Sequence, residues 1–403
     1  MKILQINTVY KRGSTGKIAK DLNDLIIKNG DESFMAYSRG EHPDTNCIKI
    51  GNSFDMKLHA VGTRIFDKHG LYSKGATLEF IKEIEKLDID IIHLHNIHGY
   101  YLHYPTLFEY LKKINKPVVW TLHDCWSFTG HCSYYEYVGC DKWQSECNSC
   151  PQLRQYPSSL LFDNSKNNFL LKKQYFKGLN NLTIVTPSKW LAKEVGKSFL
   201  SEYNTIVINN GIDLNIFKPM DSDFRQKNNL SDKFLILGVA SVWEERKGFK
   251  YFIELSKRLK EDEQIILIGL NNEQIKSLPS NILGIKRTEN QQELAKIYAT
   301  ADIFANPTLE DNFPTTNLES LACGTPVITF ESGGSPEIID EKTGIVVEKE
   351  NVNELYIAIS KIKNNEKTKY SLDCVERAKK YFGKDERFQE YLDLYKKVIK
   401  RQY

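Results

Sequence analysis

LAKIYATADIFANPTLEDNFPTTNLESLACGTPVITF, residues 294–330, holds two helices and two strands in a single run. It reads helix, strand, loop, helix, strand. LAKIYATA completes a run with apolar residues at helical spacing, and ADIFANP is a short apolar run closed by Pro307. Pro314 suits the first turn of a second helix, and Gly324 suits its end. TPVITF then supplies another strand. Buried parallel strands read as continuous apolar runs, and the helices between them are crossovers.

The same alternation runs outward in both directions. FLILGVAS, QIILIGL and GIVVE join the two strands already read, between KGFKYFIELSKRLKE and NVNELYIAISKIK. Towards the N-terminus, KILQIN, SFMAYS, IDIIHLHN, PVVWTLHD and LTIVTPS are spaced by TGKIAKDLNDLIIKNG and PTLFEYLKKINK. A chain of 403 residues is too long for one ordinary core. The expected fold is α/β, with two doubly wound Rossmann-like domains. The turn-rich stretch NNGIDLNIFKP, 209–219, marks the break. This gives an N-terminal domain over 1–213 and a C-terminal domain over 214–383. A tail over 384–403 is read as one amphipathic helix returning to the N-terminal domain, with Phe388, Leu392, Tyr395 and Ile399 at helical spacing. Residues 124–165 hold five of the eight cysteines and little periodicity, so they read as an insertion between a strand and a helix.

Composition excludes several classes. With 55 basic and 52 acidic residues, a net charge of +3 argues against a nucleic-acid binder. No apolar run reaches the ~18 residues of a membrane span, and the N-terminus lacks a signal-peptide core. A cytoplasmic protein is expected, with its cysteines as thiols or metal ligands rather than disulfides.

KRGSTGKIAKDL, 11–22, follows the first strand and suggests phosphate binding. It is not a P-loop: Lys11 stands where the first glycine belongs, and Ile18 where a hydroxyl is required. What remains is Gly13 and Gly16, which let backbone approach a ligand, and a helix N-terminus that favours anions.

Four stretches, in order, give the chain a family likeness: VINNGIDLNIFKP (207–219), ERKGFKYFIEL (245–255), the opening stretch, and GGSPEII (333–339). Together they resemble the retaining glycosyltransferases of family 4, which have the GT-B fold. The N-terminal HLHNIHGYYLHYP and the Cys-rich GHCSYYEYVGC…CNSCPQL extend the likeness to a subgroup that assembles bacterial polysaccharides. The resemblance implies two Rossmann-like domains facing across a cleft, a nucleotide diphosphate sugar as donor, and a glycan or lipid-linked glycan as acceptor. It implies transfer with retention by front-face displacement, and no catalytic metal. Gly13 and Gly16 then match the glycine-rich first loop beside the diphosphate. Thr315 and Thr316 aim N–H groups at the phosphates, with Lys247 and Arg246 adding positive charge. Glu319 is implied to hold the ribose. The first acid of the family's paired carboxylates falls on Asp311, with Glu310 beside it as the alternative. His123 is implied to approach the donor sugar from the other domain. The family's arginine a few residues before Lys247 is missing, Ser241 and Val242 standing in its region.

Other features admit two readings each. Asp88-Ile89-Asp90 looks like a metal-holding D-x-D but precedes its strand, the wrong end of a sheet for ligands. His93, His95 and His98 form H-x-H-x-x-H, which suits a metallohydrolase; yet Ile97 replaces the usual Asp and His98 has no obvious carboxylate partner, so a polar lining is the alternative. Cys132, Cys140, Cys147 and Cys150 suit a structural zinc site, with free thiols, a redox pair and disulfides as alternatives. Residues 56–75 interleave Lys57, Arg64, Lys68 and Lys74 with Leu58, Val61, Ile65 and Phe66. This suits a helix lying on an anionic membrane, placing the protein at the inner face, or a helix packed apolar side inward. Two other functions use the same features: a sugar-nucleotide epimerase, and a zinc-stabilised binding protein without catalysis.

Overall fold

The computed structural model describes residues 1–40, 46–365 and 367–400. The last three residues of the expected tail, 401–403, lie outside the described residues. The chain divides into two compact units, Met1–Asn209 with Arg387–Tyr403, and Asn210–Glu386. The units part at 209/210 and 386/387, where the sequence expectation is 213/214 and 383/384.

Among the described residues, the first unit carries a seven-stranded parallel sheet. Its strands are β1 (Lys2–Tyr10), β2 (Glu32–Gly40), β3 (Cys47–Lys49), β4 (Ile91–Leu94), β5 (Val118–Thr121), β6 (Leu182–Thr186) and β7 (Asn204–Val207). They lie in the order β3-β2-β1-β4-β5-β6-β7. The second unit holds β8 (Phe234–Val239), β9 (Glu263–Ile268), β10 (Ile282–Ile285), β11 (Ile303–Asn306), β12 (Val327–Phe330) and β13 (Gly344–Val347). Their order is β10-β9-β8-β11-β12-β13. Both sheets are doubly wound. In such a sheet the strand order reverses at a switch point, β1/β4 in one unit and β8/β11 in the other, and ligands bind at the carboxyl ends there.

Local sequence explains the elements. β4, β5 and β6 are buried at every position, as continuous apolar strands must be. The helix Gly13–Lys28 buries Ile18, Ala19, Leu22 and Ile26, one stripe at helical spacing. Ser188 caps the helix Lys189–Lys197 by accepting the Leu191 N–H at 3.1 Å, and Asn290 does the same for Gln291–Thr300. The helix Lys384–Lys400 seats Phe388, Tyr391, Leu392, Tyr395 and Val398 in one core with Ile3, Leu22, Ile91, Val119 and Val185.

The sequence stretch 209–219 has a structural task. Ile212 bridges Gly383, and Asp213 pairs with Lys384 at 2.6 Å, which ties the start of the second unit to its end.

Two expectations are corrected. The helix read over 56–75 spans Ser53–Phe66 and stops at Asp67, whose backbone is left-handed (φ 50°). Asp67 turns inward to pair with His131 at 2.5 Å and to accept the Asn164 N–H at 2.8 Å. Lys74 begins a separate helix, Lys74–Ile84. Nor does Ser53–Phe66 pack its apolar side inward. It buries His59, Gly62 and Thr63, while Phe54, Leu58, Val61 and Phe66 are exposed. The segment 124–165 contains only two short 3-10 turns, Trp126–Phe128 and Lys142–Gln144, before the helix Ser165–Phe176. It is no appendage: Trp126, Phe128, Tyr135 and Trp143 are buried in the main core of the first unit.

Candidate functional site

In the second unit, the site residues gather at the carboxyl ends of β8 and β11. The 3-10 turn Glu245–Lys247 follows β8, and residues 307–314 follow β11. The two segments are stitched by backbone: the Arg246 carbonyl accepts the Leu309 N–H at 2.7 Å and the Thr308 hydroxyl at 3.2 Å. This brings the Lys247 ammonium onto the Asp311 carboxylate as an ion pair, with both side chains partly exposed. Arg246 pairs instead with Glu244 at 3.0 Å. Of the two adjacent acids, Glu310 is buried and Asp311 carries the contact with Lys247.

Asp311 is held from the other side as well. Its carbonyl accepts the Gly334 N–H at 3.0 Å, and Gly333 has φ 53°. A side chain at Gly333 would run into that carbonyl, so only glycine lets the 333–339 stretch close on the loop. Four residues after Asp311, the helix Thr315–Ala322 begins, with no side chain capping its N-terminus. The first-turn N–H groups, Thr315 and Thr316 among them, are thus placed to bind an anion, favoured by the helix dipole. Glu319 lies one turn further along, half-buried beside Tyr298. Buried Asn306 donates to Asn317 at 2.8 Å and fixes β11 to this helix. Lys247, Asp311, Thr315, Thr316 and Glu319 therefore share one edge of one sheet.

In the first unit, Gly13 (φ 63°) opens the helix that follows β1, and Gly16 sits in its first turn. Beyond β4 and β5 stands a chain of imidazoles. His95 Nε2 meets Gln5 Oε1 at 3.1 Å, and His95 Nδ1 meets His123 Nε2 at 3.1 Å. The amide oxygen only accepts, so His95 donates from Nε2 and accepts at Nδ1. His123 must then donate from Nε2. Burial lowers the His123 pKa to about 4, with His98 adding to the effect and Asp124 opposing it. Burial likewise takes His95 well below its ordinary value and His93 to about 3. All three are neutral at physiological pH.

The H-x-H-x-x-H triplet is therefore split by the fold. His93 is buried, meeting Tyr395 at 2.6 Å and Thr121 at 2.8 Å. His95, His98, His123 and Asp124 line a cavity at the carboxyl ends of β4 and β5. His98 does have a carboxylate partner: its Nε2 stands 2.8 Å from Asp124 Oδ2, and its Nδ1 3.0 Å from the Tyr156 hydroxyl. Burial alone would raise the Asp124 carboxyl, but His98 and the Trp126 N–H hold it below the usual range. Asp90 accepts the Lys2 N–H at 2.7 Å at the opposite end of the sheet, and Asp88 faces Lys116 at 3.6 Å. The D-x-D triplet is structural.

Comparison with known proteins agrees with the two-sheet fold. A family model described as Glycosyltransferase Family 4 matches residues 51–216, and one described as Glycosyl transferases group 1 matches residues 233–365. The chain is 25% identical over 375 residues to the Escherichia coli K12 protein named putative colanic acid biosynthesis glycosyl transferase WcaC, covering 88% of this chain and 89% of that one. It is 28% identical over 205 residues to the Campylobacter jejuni N,N'-diacetylbacillosaminyl-diphospho-undecaprenol alpha-1,3-N-acetylgalactosaminyltransferase, covering 47% of this chain and 53% of that one. The Anabaena HepE structure in complex with UDP superposes with a TM-score of 0.68 at 16% identity, covering 98% of this chain and 99% of that one. Among the described residues, no helix is long and apolar enough to cross a membrane.

Proposed function

Taking as premise that the chain belongs to the family 4 glycosyltransferases of the GT-B fold, we propose that it moves a sugar, with retention, from a nucleotide diphosphate to a lipid-linked glycan. The observation that carries this is the Lys247–Asp311 pair four residues before an uncapped helix N-terminus, at the switch point of the second sheet. A leaving diphosphate needs fixed positive potential that costs no reorganisation as charge develops, and a helix N-terminus with one lysine supplies it. Asp311 orients the sugar hydroxyls and Glu319 accepts from the ribose. In the first unit, Gly13 and Gly16 shape the first turn of the helix that follows β1. In the same unit, the neutral His123 and His95 imidazoles make an uncharged surface that suits hydroxyl groups.

In the reaction so assigned, the bond from the anomeric carbon to the phosphate oxygen breaks as the acceptor oxygen bonds the same face. The acceptor proton passes to the departing phosphate. The charge is carried by the chain's own groups, so no catalytic metal is required. The Escherichia coli relative is named for colanic acid biosynthesis and the Campylobacter one for a diphospho-undecaprenol acceptor, which favours surface-polysaccharide assembly on a lipid carrier as the setting.

The protein works at an anionic membrane face in this reading. Phe54, Leu58 and Val61 point to solvent along the helix Ser53–Phe66, with Phe54 70% exposed. The loop after Ser159 runs beside them: Leu160 N–H bonds the Arg64 carbonyl at 2.7 Å, and the Phe66 and Phe162 rings stack at 5.8 Å. Leu160, Leu161 and Phe162 extend the apolar surface, and Lys57, Arg64 and Lys68 are exposed around it. An apolar patch rimmed by cations fits a bilayer of anionic lipid.

Incubation with a panel of nucleotide sugars and a polyprenyl-diphosphate glycan tests the reading. Acceptor-dependent release of nucleoside diphosphate, with the donor's anomeric configuration kept in the product, is expected. An epimerised donor, or no turnover with any donor, overturns it.

A further inference from the structure

We propose that Cys132, Cys140, Cys147 and Cys150 hold one structural zinc ion within the first unit. All four thiols line one small cavity, together with Trp143, Pro151 and Ser165. Cys125, the fifth cysteine of the segment, lies against Tyr135 and does not line it. As the side chains stand, no group of three or more His, Cys, Asp or Glu among the described residues is arranged to hold a metal ion. Cys132 and Cys150 are already in side-chain contact, however, and Cys140 and Cys147 line the same cavity.

The surroundings fit thiolates. The Gly130 N–H donates to Cys147 Sγ at 3.2 Å, and the Gln152 N–H donates to Cys150 Sγ. Backbone donors on sulfur favour the charged form and aim the ligand. A side chain at Gly130 would collide with the Ser165 carbonyl and with Cys147, so the donor can stand there only as glycine. The turn Cys147–Cys150 is clamped by Lys142 Nζ, which donates to the carbonyls of Asn148 at 3.0 Å and Ser149 at 3.1 Å. Nearby, Lys172 is buried; its ammonium bonds the carbonyls of Trp126 at 2.6 Å and Thr129 at 3.0 Å and lies over the Trp126 ring. Zinc binding releases four thiol protons to solvent and leaves a site of net charge minus two, which gives the buried cation a counter-charge. A long segment with two short 3-10 turns is thereby closed by four bonds.

Elemental analysis of the full chain, purified without chelator, should find about one zinc per chain. A mercurial titrant should release that zinc as four thiols react. Cys147→Ser and Cys150→Ser should each lose the metal, while Cys47→Ser keeps it. Should those variants fail to fold, the cobalt-substituted wild type decides, by the absorption of tetrahedral thiolate cobalt. Negligible metal with all four thiols freely titratable in the native protein overturns the proposal. So does a disulfide between Cys132 and Cys150 detected by mass spectrometry.

Discussion

The two units place charge in opposite ways. In the second, the carboxyl edge of the sheet is charged: Lys247, Asp311, Glu319 and a helix N-terminus meet within a few residues of β8 and β11. In the first, the same edge is mostly neutral: Gln5, His95 and His123 form a hydrogen-bonded chain of groups that burial keeps uncharged. The first unit carries exposed cations instead on the surface of the helix Ser53–Phe66. Charge therefore decides what each edge can bind. A charged edge suits a diphosphate whose charge changes during reaction, and a neutral one suits hydroxyls.

The sharpest way to break this contrast is Lys247→Ala. Removing a positioned donor from developing negative charge costs about 2.7–4 kcal/mol, or about a hundredfold to a thousandfold in kcat. Donor binding should change less, because the charge matters most as the diphosphate departs. Asp311→Asn should couple with it: the effects of the double variant should fall short of the sum, because each single change strands the other member of the ion pair. Strict additivity would place the two residues in separate tasks. Glu319→Ala comes next. Loss of a charged acceptor should weaken nucleotide binding by about 1.5–3 kcal/mol, measured by calorimetry, with His123→Ala leaving that affinity unchanged. Equal losses in both variants would end the assignment of the nucleotide to the second unit alone.

Most of this edge was legible in the sequence, and the failures have physical causes. Every strand buried on both faces could be read as an apolar run. The three strands that were not read are β3, β7 and β10, and each lies at the edge of its sheet, half-exposed. An edge strand needs no continuous apolar run, so it leaves no such signal. The Lys247–Asp311 contact joins residues 64 apart; the family likeness named both residues but gave no contact between them. Asp124 was passed over as the partner of His98 because the two belong to neighbouring strand ends, β5 and β4, and meet only through the sheet register. The stop at Asp67 was hidden for a similar reason. Its partners, His131 and Asn164, are far along the chain. The exposed apolar face of Ser53–Phe66 gave the pattern of a packed helix with its sides exchanged, and periodicity cannot tell the two apart.

The neutral edge makes its own prediction. His93 and His59 have pKa values lowered to about 3, and His123 to about 4, against an ordinary 6.5. Between about 6.5 and those values the unfolded chain binds protons that the folded chain refuses. Stability therefore falls as pH drops through that window and is fully present above it, by about 1.4 kcal/mol per pH unit for each such histidine. Urea midpoints at pH 7 and pH 5 should differ in that direction. His93→Gln should flatten the slope, provided the variant still folds at pH 7. A midpoint unchanged across the window would mean these imidazoles are charged in the folded protein, and the contrast between the edges would fail.

The smallest effect per residue tests where the first unit exposes its charge. Each basic side chain near an anionic surface contributes on the order of 1 kcal/mol, screened by salt. The protein should sediment with vesicles containing anionic lipid at low salt and return to the supernatant at high salt. Arg64→Glu with Lys68→Glu reverses two of the exposed cations beside the patch and should abolish sedimentation, leaving nucleotide binding intact. Charge alone would do the same on any basic surface, so the apolar contribution needs its own variant. Leu161 is 70% exposed and Phe162 55% exposed, and neither has a core to support. Leu161→Ser with Phe162→Ser should therefore leave the thermal midpoint in place while lowering retention on vesicles that survives high salt. If sedimentation follows the basic residues and ignores this pair, the patch does not enter the bilayer, and the helix Ser53–Phe66 keeps its apolar side outward for a protein partner.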